Sequence, residues 1–120
     1  MDKQELKKRT YQLGRRCLKL CDALPNTKIG RHVEGQLIRC STSVAANYRA
    51  ALLAQSRAAF VAKLSIVIKE ADESAMWLEL VTDEELLEKD KVLPLLKEAK
   101  ELTAIFVSSR KTLNTSSNNK

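Results

Sequence analysis

The sequence predicts an all-α protein, an antiparallel up-down four-helix bundle, and three observations carry that expectation. Aromatic residues make up only 4% of the chain, and there are three glycines and two prolines. A sandwich or barrel needs more turns and more large strand residues than that. Apolar side chains recur instead at alternating steps of three and four, which is the period of an α-helix. Four such stripes follow one another with short polar links between them, as in an up-down bundle. With 120 residues, of which 44% are hydrophobic, the chain is one domain with enough apolar surface for a core. That domain is expected over residues 1–113.

The first helix is expected from Lys3 to Ala23, because Leu6, Thr10, Leu13, Cys17, Leu20 and Leu24 draw a single stripe along it and Pro25 ends it. Opposite the stripe lie Lys8, Gln12, Arg15 and Lys19, with Arg9 and Arg16 on its flanks. A basic helix face is commonly just a solvated one, but this face carries almost no acid.

The second helix is expected from Arg31 to Gln55, with Val33, Leu37, Val44, Tyr48 and Ala51 facing inward. Its back holds Gly35, Ile38, Thr42, Ala45, Ala46 and Ala50, interleaved with Arg31, Arg39 and Arg49. Small residues let another helix approach closely, so this helix is read as covered on more than one side.

Ser56 can accept an orphan amide as an N-cap, which starts a third helix at Arg57 and carries it to Thr82. Phe60, Leu64, Val67, Ala71, Ser74, Leu78 and Val81 form its inward stripe. A second stripe of Ala59, Ala62, Ile66, Trp77 and Leu80, with Met76 beside it, lies far round the same helix. A monomer would leave much of that surface in water, so the second stripe predicts self-association. Gly35, Ile38, Thr42, Ala46, Ile66, Trp77 and Leu80 are the expected interface residues.

An acidic link from Asp83 to Asp90 follows. Pro94 suits the first turn of a last helix, which continues to Leu113 on Leu96, Ala99, Leu102, Phe106, Ser109 and Leu113. Residues 114–120 are polar and aperiodic, and are expected to be a disordered tail.

The net charge of +6 is unevenly placed. Residues 1–55 carry eleven basic and four acidic side chains, a net of +7, and the remainder nets −1. From Glu70 to Asp90 nine acids stand against Lys89 alone. A basic region separated from an acidic one suits a polyanion partner. The sequence shows no glycine-rich phosphate loop, and its aromatics are dispersed, so binding is expected to rest on phosphate contacts.

No apolar run approaches the roughly 18 residues of a membrane span, and Met1 to Lys8 is charged, unlike a secretory signal. The expected compartment is cytoplasmic, with Cys17, Cys21 and Cys40 reduced. Cys17, Cys21 and His32 fall short of a closed zinc set, and His32 lacks the acidic and seryl partners of a catalytic base. No metal, cofactor or enzymatic activity is expected.

Several segments taken together carry a family resemblance: Ile29-Gly30-Arg31, the run Ser41-Thr42-Ser43-Val44-Ala45-Ala46-Asn47-Tyr48-Arg49, Phe60-Val61-Ala62-Lys63-Leu64, Lys69-Glu70-Ala71-Asp72-Glu73 and Trp77-Leu78-Glu79-Leu80. With Leu24-Pro25 and Lys111-Thr112-Leu113 they span nearly the whole chain. The sequence closely resembles the bacterial four-helix bundle proteins first noticed as reading frames inside intervening sequences of large-subunit ribosomal RNA genes. The resemblance implies a homopentamer with an RNA- or nucleic-acid-binding role and no catalysis. A more distant likeness, to the accessory protein of diversity-generating retroelements, implies an alternative: an oligomeric scaffold that engages a protein partner.

Arg31, Arg39, Asn47, Arg49 and Lys63 fall on polar positions of the family pattern, and Trp77 on its aromatic one. The chain departs from the pattern at Ala45, where glycine is usual, at Ala50 and Ala59, where acids are usual, and at Met76, where an aromatic is frequent. Without those acids Arg49 is left to meet a phosphate or to use Glu70 or Glu73. The expected nucleic-acid-binding residues are Lys8, Arg15, Arg16, Lys19, Arg31, Arg39 and Arg49.

Overall fold

The structure is a computed structural model that describes residues 1–118. Its elements are α1 (Lys3–Asp22), α2 (Lys28–Leu52), α3 (Arg57–Asp83) and α4 (Lys89–Asn118), with no strand among the described residues. Each of the first three helices starts on a side-chain cap. Asp2 accepts from the Glu5 amide at 2.8 Å, Thr27 from the Gly30 amide at 3.1 Å and Ser56 from the Ala59 amide at 3.1 Å. Each cap satisfies one of the amides that a helix start leaves without a partner.

Two helices begin earlier than the sequence predicted. α2 starts at Lys28 rather than Arg31, because Thr27 is its cap. Gly30 sits where a Cβ would stand 2.0 Å from the Pro25 carbonyl oxygen, so the turn and the helix start can meet only if that residue is glycine. α4 starts at Lys89, which puts Pro94 inside the helix instead of in its first turn. Pro94 removes the donor for the Asp90 carbonyl. Both residues are exposed, so water can serve that carbonyl, while buried Val92 and Leu95 anchor the turn to the core. α2 also stops at Leu52, short of Gln55. Residues 114–118, expected in a disordered tail, continue α4; residues 119–120 lie outside the described ones.

Packing joins α1 to α2, α2 to α3, α3 to α4 and, most sparsely, α4 back to α1. Partners fall on one helix as they rise on the next: Cys21 lies on the Glu34 carbonyl, and Gly14 faces Ser41. Likewise His32 meets Trp77 while Arg39 meets Glu70, and Glu79 meets Lys100 while Ser65 meets Arg110. The inward residues of α1, from Leu6 to Leu20, are all buried, as are Leu24 just after it and Val33, Leu37, Val44, Tyr48 and Ala51 of α2. On α3 the inward stripe is buried from Leu64 to Val81 and Phe60 is half-buried. Val92 and Leu95 join Ala99, Leu102 and Phe106 of α4 in the core, and Phe106 lies 5.1 Å from the Tyr48 ring.

The sparse α4 to α1 seam is held at one point by Arg9. Its guanidinium donates to Glu98 at 2.6 and 2.9 Å and to Glu101 at 2.9 Å. Two bonds to one carboxylate in a half-buried setting are worth more than a surface ion pair. Arg9 is therefore spent on the fold.

Candidate nucleic-acid interface

Along α1, Lys8, Tyr11, Arg15 and Leu18 succeed one another at steps of three and four, so they share the flank that turns toward α2. Opposite them, the exposed side of α2 presents Thr42, Ala46 and Arg49. Between the two helices runs a groove of about 530 Å³ lined by Tyr11, Gly14, Arg15, Leu18, Thr42, Ala45, Ala46 and Arg49. Its floor is small because the backbones nearly touch there. A Cβ on Gly14 would stand 3.4 Å from the Ser41 carbonyl oxygen.

A second depression, of about 340 Å³, is lined by Gln4, Lys7, Lys8, Tyr11 and Arg49. Tyr11 and Arg49 line both, so the two depressions form one trough. Four cations line it, Lys7, Lys8, Arg15 and Arg49, and no acid does. Those four side chains are thus the whole of its charge, and Lys8, Arg15 and Arg49 make no ion pair among the described residues.

The remaining predicted binding residues lie elsewhere. Lys19 stands one turn beyond Arg15 on the exposed face, and Arg16 is exposed outside the groove. Arg31 donates to the Asn26 side-chain carbonyl at 2.8 Å near the far end of α2. Arg39 is committed to the α2 to α3 contact, where it pairs with Glu70 at 3.2 Å and with Glu73. Glu70 is a buried acid, and Arg39 is what neutralises it. Arg49 therefore has neither of those acids as a partner, and the groove is where it stands.

Tyr11 is the residue that sequence reasoning missed. It is 55% exposed, not on an apolar stripe. The signal was available, since it sits between Lys8 and Arg15 on the polar face rather than with Leu6 and Leu13.

The expected interface residues also divide. Thr42 and Ala46 line the groove. Gly35 is exposed, with nothing within 4 Å of a Cβ built on it. Ile38, Trp77 and Leu80 pack part of their surface on the core of their own chain, and Ile66 remains 38% exposed. Trp77 meets the His32 ring edge-on at 5.6 Å and donates its Nε1 hydrogen to Glu73 at 3.3 Å.

The cysteines are buried. Burial pushes Cys17 and Cys21 up to about 12 and raises Cys40 as well. Among the described residues no three His, Cys, Asp or Glu side chains converge as a metal site. No described helix is long and apolar enough to cross a membrane.

Fold and groove together define a basic, all-helical protein of the four-helix bundle class. The chain belongs to the family described as 23S rRNA-intervening sequence protein, whose family model matches residues 2–108. Among solved structures it is similar to a protein of unknown function from the S23 ribosomal protein family of Bacteroides thetaiotaomicron VPI-5482. The two are 32% identical, the match covers 88% of this chain and 98% of that one, and the TM-score is 0.82. No curated protein matches the chain.

Proposed function

We propose that this chain is the subunit of a cytoplasmic homo-oligomer, a pentameric ring of antiparallel up-down bundles, that binds RNA through phosphate contacts. The observation that carries the reading is the acid-free trough between α1 and α2, where Arg15 and Arg49 line one groove and Lys8 extends it. Guanidinium groups without an acid partner suit phosphate oxygens, because the planar fork of donors matches two oxygens at once. Membership of a family named for 23S rRNA intervening sequences supports RNA over DNA.

The role is one of binding rather than catalysis. His32 rests on Trp77, and the thiols of Cys17 and Cys21 stay protonated at neutral pH, so neither type of group is poised as base or nucleophile. The rival reading, a protein scaffold held by inter-subunit arginine pairs, loses one of its arginines, since Arg39 is paired within its own chain.

Filter binding of ribosomal RNA fragments across a salt series tests the proposal. Each neutralised phosphate contributes about −0.7 (single strand) to −0.9 (duplex) to the slope of log affinity against log salt. Arg15→Ala with Arg49→Ala should flatten that slope by about two such contributions. Binding that ignores both salt and these substitutions would remove the trough from consideration.

A further inference from the structure

We propose that the α1 to α2 trough is a single-strand site in which Tyr11 stacks on an unpaired base while Lys8, Arg15 and Arg49 hold the flanking phosphates. The inference rests on the RNA-binding reading above and adds the form of nucleic acid and the residue that selects it. Three observations carry it. First, Tyr11 leaves 55% of its surface to solvent on the flank of α1 that carries Lys8 and Arg15. It has no ring partner and no hydrogen bond among the described residues. An exposed aromatic side chain with nothing on its ring is a platform that any base can cover.

Second, Tyr11 and Arg49 line both depressions of the trough, so the aromatic ring stands between Lys7 and Lys8 on one side and Arg15 on the other. A nucleic-acid strand alternates charged phosphates with flat apolar bases, and the trough alternates in the same way. Third, the groove beside Tyr11 has an apolar floor of Gly14, Ala45 and Ala46 with Leu18 at its edge. That floor suits the face of a base and offers nothing to a phosphate.

A duplex would use only half of this arrangement. Its bases are stacked on each other inside the helix, so it could reach the cations but could not cover the ring. The cations alone attract both forms of RNA; Tyr11 distinguishes them.

The test uses the full chain and two fluorescent probes, a short mixed-sequence single-stranded oligoribonucleotide and the duplex of the same length, each carrying a fluorescent purine analogue. Tyr11→Leu should weaken single-strand binding by about five-fold to a hundred-fold, leave duplex binding within about two-fold, and abolish the change in analogue fluorescence on binding. Tyr11→Phe should restore both affinity and signal. Far-ultraviolet circular dichroism and the melting temperature check that the variants fold.

If Tyr11→Leu binds single strands like the native chain while Arg15→Ala with Arg49→Ala does not, the stacking proposal is overturned and the RNA-binding reading stands. Salt-independent binding of both probes by the native chain, or none at all, overturns both. A fall in particle mass with Tyr11→Leu also overturns the proposal, because the ring would then belong to a contact between copies.

Discussion

At the residue scale the buried thiols set a pH limit on the fold. Cys17 has no exposed surface and lies against Ser41. Burial lifts the Cys17 thiol from its ordinary 9.0 to about 12, with nearby thiols adding to the effect and Ser41 opposing it. An acid whose pKa is raised in the folded state contributes stability that is intact below the unfolded value and is lost as pH rises through the folded one. The urea midpoint should therefore hold steady below pH 9.0 and fall between 9.0 and about 12. The Cys17 share of that loss is on the order of 2 kcal/mol by about pH 11. Cys17→Ala should start from a lower midpoint and show a shallower alkaline decline; equal declines would show that the thiol is not what titrates. The burial of Cys17 was legible in the sequence, since it lies on the stripe from Leu6 to Leu24. The commitment of Arg39 to Glu70 was not, because a pair 31 residues apart depends on how α2 and α3 are set against each other.

At the scale of the element, the end of α3 shows how a helix can stop on an unfavourable residue. The Leu86 amide donates to the Val81 carbonyl at 2.9 Å and the Glu85 amide to the Thr82 carbonyl at 3.1 Å, the paired bonds of a Schellman cap. Such a cap needs a left-handed residue, and here it is Glu85, with φ of 53°. Glycine adopts that conformation without a Cβ clash, whereas other L-residues pay roughly 1–2 kcal/mol for it. Glu85 also places negative charge at the negative end of the helix. Glu85→Gly should raise stability by about 0.5–1 kcal/mol after the extra flexibility of glycine in the unfolded chain is deducted. Glu85→Ala keeps the strain and should not match it; if alanine does as well as glycine in urea melts, the cap is not the source of the gain. This cap was hidden in the sequence because its usual glycine is missing. The starts of α2 and α4 escape the apolar pattern for related reasons: Thr27 caps α2 well ahead of its first inward residue, Val33, and Pro94, a residue typical of a first turn, stands inside α4. Ser56, a cap directly followed by an apolar-periodic segment, was legible, as were the inward stripes of all four helices.

At the scale of the whole molecule, the bundle measures 53 × 22 × 20 Å, and its charge is graded along the long axis. The pairing of the helices brings the acidic turn from Asp83 to Asp90 to the end where α2 begins. At the other end, Arg57 and Lys63 of α3 and Arg110 and Lys111 of α4 join Lys3, Lys7, Lys8 and Arg49. The sequence placed the positive charge on the first two helices; the fold leaves Lys19, Lys28 and Arg31 near the acidic turn and adds the cations of α3 and α4 to those at the opposite end. The same packing narrows the case for self-association. Trp77 and Leu80 already have neighbours within the chain, which leaves Ile66 and Met76, 38% and 44% exposed, as the large apolar groups of the outer face of α3, with the small exposed residues Ala59 and Ala62 within two turns of Ile66. Small residues let a second helix come close, and the two large ones give it something to bury. Ile66→Asp with Met76→Asp should therefore convert a multimer to a 13.5 kDa particle by light scattering while the helical circular dichroism signal is kept. Arg15→Ala with Arg49→Ala should leave the multimer intact, since the trough lies on α1 and α2. A native chain that scatters as 13.5 kDa at high concentration would refute assembly, and an aspartate variant that stays multimeric would move the contact off α3.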